Sequence, residues 1–132
     1  MSEAIFHEIE KGPAMVAPYS HVVEVDGWLF VTGQMPIKGD GTVPEYIEDQ
    51  TQVVLENLKT VLARVHSSLR EVVSARVFLT NFDAHYERMN RVYQTYFEAG
   101  RFPARTCVGV TRLAHGCLVE IDFIARRSGA GK

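Results

Sequence analysis

The residues best equipped for chemistry gather late in the chain. In RFPARTCVGV, residues 101–110, Arg105 and Cys107 stand two apart in a run that predicts a strand. In LVEIDFIAR, residues 118–126, Glu120 and Asp122 share the same spacing. Side chains alternate along a strand, so Arg105, Cys107 and Gly109 fall on one face, as do Glu120 and Asp122 in the later strand. The TRLAHG connection, centred near Leu113 and Ala114, predicts a hairpin. Its register would set Cys107 opposite Glu120 and Arg105 opposite Asp122. Such a patch supports two chemistries. It can be a cross-strand ion pair that contributes only to stability. It can also be a guanidinium kept for an organic carboxylate, gripped by two parallel hydrogen bonds, with a neighbouring acid to move a proton. The residues alone leave both open. The same register puts Cys117 about 10 Å from Cys107, at ~3.3 Å per residue, beyond disulfide reach, so Cys107 is expected to be a free thiol.

Positioning these groups requires rigid elements around them. IFHEI (5–9) predicts a short strand, and KGPAMVAP (11–18) a loop. SHVVEVDGWLFVTG (20–33) predicts a hairpin on Asp26-Gly27, because Asp-Gly suits the positive φ angles of a type I′ turn. MPIKGDGTVP (35–44) predicts an irregular loop. From Glu45 to His66, Ile47, Val54, Leu58, Val61, Leu62 and Val65 recur at helical spacing. VVSARVFLT (72–80) predicts a strand with Val73, Ala75, Val77 and Leu79 inward. Residues 81–100 predict a second helix, N-capped by Asp83 and ended by Gly100, with Tyr86, Met89, Tyr93, Tyr96 and Phe97 inward. The order β-β-β-α-β-α-β-β predicts an α+β fold, a mixed or antiparallel sheet with both helices on one face. The uncovered face is expected to meet another subunit.

Composition bounds the rest. The chain has 132 residues, enough for one domain, taken as 1–127 with a flexible tail at 128–132. Its net charge is −2, and Arg126-Arg127 is the one obvious basic doublet, which argues against a nucleic-acid groove. No run approaches the length of a membrane span and the first twenty residues do not form a signal peptide, so a soluble, cytoplasmic protein is expected. The five histidines show no metal-ligand spacing, and no metal or cofactor is expected.

FPARTCVGV…LVEIDFIA, together with APYS, GWLFVTGQMP and NRVYQTYF in that order, resembles the reactive intermediate deaminase family, the Rid (YjgF) proteins. The resemblance runs from about Ala17 to Arg126. It implies a chorismate-mutase-like fold and a homotrimer with ligand clefts between subunits. It further implies cofactor-independent hydrolysis of 2-imino or 2-enamino acids to 2-oxo acids and ammonia. By this resemblance Arg105 holds the substrate carboxylate and Glu120 orients the attacking water. Cys107, Tyr19, Gly33 and Asn90 line the cleft, and Thr32 stands where the best-studied branch has serine. Gly109, Asp122 and Phe123 depart from that branch. A non-catalytic carboxylate-binding trimer and an endoribonuclease or translation inhibitor are the alternatives.

Overall fold

Eight elements follow one another in the computed structural model, which describes residues 3–10 and 12–129. They are β1 (Ile5–His7), β2 (Val22–Val25), β3 (Trp28–Gln34), α1 (Ile47–Arg64), β4 (Val72–Leu79), α2 (Phe82–Tyr93), β5 (Ala104–Gly109) and β6 (Val119–Arg126). Three short 3₁₀ turns, 69–71, 94–96 and 114–116, join or extend them. The element order is the expected one. The strands form one mixed sheet in the order β1-β2-β3-β6-β4-β5.

The β2–β3 hairpin turns on Asp26 (φ 51°) and Gly27 (φ 83°), as the Asp-Gly pair requires. Helix α1 buries Val54, Leu55, Leu58, Val61 and Leu62 along one stripe. Met89 and Tyr93 anchor α2 in the same core. Alternate residues of β6, Val119, Ile121, Phe123 and Ala125, complete it from the sheet. Both helices therefore cover one face. The other carries the exposed side chains of Trp28, Phe30 and Val108.

Three expectations need correction. First, β5 and β6 do not form a hairpin. Strand β5 lies at the sheet edge, parallel to β4, and β6 inserts between β3 and β4, antiparallel to both. Helix α2 returns the chain over the sheet, which is the connection parallel neighbours need. The 110–118 link then crosses the end of β4, with Val110 N donating to Leu79 O at 2.8 Å and Thr80 N to Leu118 O at 3.0 Å. Second, β4 carries a register shift between Val72 and Ser74, so Val72 turns inward and Val73 is left exposed. Third, Asn81, not Asp83, precedes the first turn of α2, in the left-handed region at φ 48°. That helix ends near Tyr93, and Gly100 (φ 82°) belongs to a later turn.

Of the expected tail, Ser128 donates its backbone N–H to the Glu71 carboxylate at 2.6 Å, and residues 130–132 lie outside the described residues. Among the described residues no helix is long and apolar enough to cross a membrane.

Candidate functional site

Strand β5 pairs Arg105 with Ala75 and Cys107 with Val77, both core residues of β4. Arg105 and Cys107 thus point to the helix-covered face, beneath α2. There Arg105 donates to Asn90 Oδ1 at 2.7 Å and to the Tyr86 hydroxyl at 3.4 Å. Its guanidinium also lies 4.9 Å from the Tyr93 ring centre and 5.9 Å from that of Tyr86. Asn90 is therefore not a solvent-facing residue of α2; it fixes the arginine. Every acceptor in this cage is neutral. Arg76, Arg88 and Arg127, by contrast, are each forked onto a carboxylate, of Asp122, Glu48 and Glu24 respectively. Arg105 is half-buried, and the acceptors it meets among the described residues, Asn90 Oδ1 and the Tyr86 hydroxyl, carry no charge.

The expected contacts of Arg105 with Asp122 and of Cys107 with Glu120 are absent. In β6 Glu120 pairs with Phe78, and Asp122 with Arg76, on the open face of the sheet. Within one chain Arg105 and Glu120 stand on opposite sides. Burial pushes the Cys107 thiol up, against the pull of Arg105, so it stays a thiol. Burial likewise raises the Tyr93 hydroxyl to about 12, and that buried hydroxyl has no hydrogen-bond partner among the described residues. Both cysteines are free.

Glu120 meets a second group of expected residues. Strand β3 shifts register against β6 between Val31 and Gln34, so Thr32 and Gly33 together face one residue of β6. A Cβ at Gly33 would run into the Glu120 side chain, with Cδ only 3.1 Å away. Glycine here serves close approach. Thr32 donates its hydroxyl to the Ser20 carbonyl and its N–H to His21 O at 3.0 Å, pinning the bulge to the segment that leads into β2. Gly33 and Tyr19 line a cavity of about 350 Å³ that Met35, Lys38 and Asn57 extend toward α1. The Tyr19 hydroxyl accepts the Val16 N–H at 3.3 Å.

Glu120 is half-buried and accepts no hydrogen bond from the described residues. Burial raises its carboxyl above the ordinary value, Asp122 raises it further, and Arg76 partly opposes both. The expected site residues thus form two clusters. Arg105, Cys107 and Asn90 make a cationic one; in the other, an acidic one, Glu120 meets Gly33 next to Thr32, and Tyr19 is linked to it only through the cavity that Gly33 also lines. Tyr86, Tyr93 and Arg76 were not expected in either. The two tyrosines belong to a stripe that satisfies core packing equally well, and Arg76 was readable from its alternation with Phe78. Among the described residues, no three His, Cys, Asp or Glu side chains come together as a metal-binding group.

The profile of the family described as Endoribonuclease L-PSP matches residues 9–127. A RutC family protein of Pyrococcus horikoshii is 39% identical over 127 residues, covering 95% of this chain and 98% of its own length. TdcF of Escherichia coli, named as a candidate reactive intermediate deaminase, is 31% identical over 92% of this chain and 95% of its own. The crystal structure of TdcF with bound serine matches with a TM-score of 0.85, at 30% identity, over 94% of this chain and 99% of that one. A protein of the conserved Rid family from Yersinia pestis, described as of unknown function, matches with a TM-score of 0.88, at 35% identity, over 95% and 100%.

Proposed function

The chain belongs to the Endoribonuclease L-PSP family, the Rid/YjgF proteins, and from that premise we propose that it is a hydrolytic deaminase of small 2-imino and 2-enamino acids. The carrying observation is Arg105, a half-buried guanidinium caged by neutral acceptors. A carboxylate-bearing substrate supplies the missing charge through a forked pair of hydrogen bonds. That TdcF binds serine, an amino acid of the same carboxylate chemistry, supports the reading.

The reaction needs water, a proton carrier and a held electrophile. The oxygen of a water oriented by Glu120 attacks the imine carbon while its proton passes to the Glu120 carboxylate. The C=N electron pair moves onto nitrogen. Glu120 returns that proton to nitrogen, which gives a carbinolamine. It then takes the hydroxyl proton and passes it to the amine, the C=O bond forms as the C–N bond breaks, and a 2-oxo acid and ammonia leave. A carboxyl with raised proton affinity suits both directions of transfer. The thiol of Cys107 is not required as a nucleophile.

Because Arg105 and Glu120 face opposite sides of one protomer, the working site joins the cationic cluster of one subunit to the acidic cluster of its neighbour. A homotrimer with three such seams fits the exposed apolar side chains of the open sheet face. Ammonia release from imines generated in place by an amino-acid oxidase tests the proposal. Arg105→Ala should lower kcat/KM about 100-fold or more, the loss expected for two charge-assisted hydrogen bonds. Glu120→Gln should remove turnover and keep carboxylate binding. A wild type that binds carboxylates without turning imines over would be a binding trimer instead. The family's description keeps RNA cleavage as a second reading, tested by Arg105-dependent cleavage of single-stranded RNA.

A further inference from the structure

On the open face, β4 and β6 set four side chains in a square. Arg76 pairs in register with Asp122, and Phe78 with Glu120. Arg76 forks onto Asp122, with Nε at 3.0 and 3.1 Å from the two carboxylate oxygens and Nη2 at 2.5 Å from Oδ2. Its guanidinium lies 5.6 Å from the Phe78 ring centre. The Asp122 side chain is only 17% exposed, so its charge is poorly shared with water. Two residues along a strand, about 7 Å away, stands Glu120. Other charged or titratable groups near Glu120 are few. Cys117 senses it from the start of β6, Tyr19 shares a cavity with Gly33, and β3 offers no titratable side chain.

We propose that Arg76 and Asp122 act as a charge couple that governs when Glu120 carries its proton, with Arg76 as a positioning residue for the acid–base step. The inference rests on the reading of Glu120 as the proton carrier. Asp122 alone would repel a second negative charge on the same face. Arg76 partly offsets that repulsion, so the balance between the two sets how readily Glu120 takes up a proton. The two partners act on Glu120 with opposite sign, and a pair that served stability alone would leave the pH profile of turnover unmoved.

The test is a carboxyl-carbon NMR titration of Glu120 in the assembled full-length protein, beside the pH profile of kcat/KM. Arg76→Gln should move the Glu120 midpoint, and the acid limb of the profile, upward by about 0.5 to 1 pH unit. Asp122→Asn leaves the arginine uncompensated and should move both downward by a similar amount. The double variant should return near wild type. Should Arg76→Gln fail to assemble, Asp122→Asn decides alone. Shifts of equal sign in the two single variants, or an unmoved midpoint in Asp122→Asn, would overturn the couple. A wild type without deaminase turnover sinks the functional reading, while the titration still decides this one.

Discussion

Arg105 directs its donors to an amide oxygen and a phenol, and this choice decides how substitutions should behave. Lysine keeps the charge but loses the planar fork. Arg105→Lys should therefore fall in kcat/KM almost as far as Arg105→Ala, while stability changes by only about 1 kcal/mol, the worth of one hydrogen bond. Steady-state kinetics beside urea unfolding separate the two effects. Gly33 gives the complementary case. An added methyl meets the Glu120 carboxylate, so Gly33→Ala should displace the acid and lower kcat at least tenfold, with the fold and the Arg105 cage intact. The resemblance marked Arg105 and Gly33 from sequence alone. What spacing could not tell was that Asn90, placed in the cleft by the resemblance, holds the guanidinium. A polar residue beside a helical stripe looks the same whether it meets water or a neighbouring strand.

At the scale of elements, two polar ties fix the rim of the site. Buried His21 accepts the Ile9 N–H on Nδ1 at 3.0 Å and donates from Nε2 to Pro13 O at 2.6 Å. It thereby holds the loop whose residues Gly12, Pro13 and Ala14 wall the cavity. His21→Leu strands both backbone groups and should cost about 1–3 kcal/mol by chemical denaturation. Glu24 of β2 receives a fork from Arg127 and a contact from His7 of β1. Arg127, chiefly, holds the Glu24 carboxyl down at about 2 instead of 4.5. The stabilisation is complete above about 4.5 and disappears as pH falls toward 2. Glu24→Gln should flatten the acid loss of stability in that window, read from thermal unfolding at stepped pH. The hairpin on Asp26-Gly27 and the stripe of α1 were legible because local chemistry dictates each. The β5–β6 pairing was misread because a short polar link between two strands looks like a hairpin wherever it leads. The signal that would have corrected it is the strand–helix–strand order around α2, which calls for parallel neighbours.

For the whole molecule, Arg105 and Glu120 face opposite sides of the sheet, so the proposed seam would make assembly a condition of chemistry. Two inactive proteins, Arg105→Ala and Glu120→Gln, should recover activity when unfolded together and reassembled. In a random mixture about one seam in four joins an intact arginine to an intact glutamate, so about a quarter of wild-type turnover should return. No recovery would place both groups in one protomer's site and refute the seam. The exposed face with Trp28, Phe30 and Val108 was foreseeable from the element order, since two helices cover only one side. The seam proposed on it was not, because contacts between chains leave no periodicity in a single one.

The shift in β3 has one more consequence. Val31 and Gln34 both face the core with two residues between them, where an ordinary strand would have one. A chain lacking Thr32 would keep Val31 and Gln34 inward and run straight past β6. The extra residue sets Gly33 against the Glu120 side chain and ties the bulge back to Ser20 and His21. Under the proposed function, this surplus residue is what carries the backbone of β3 up to the acid that handles the proton.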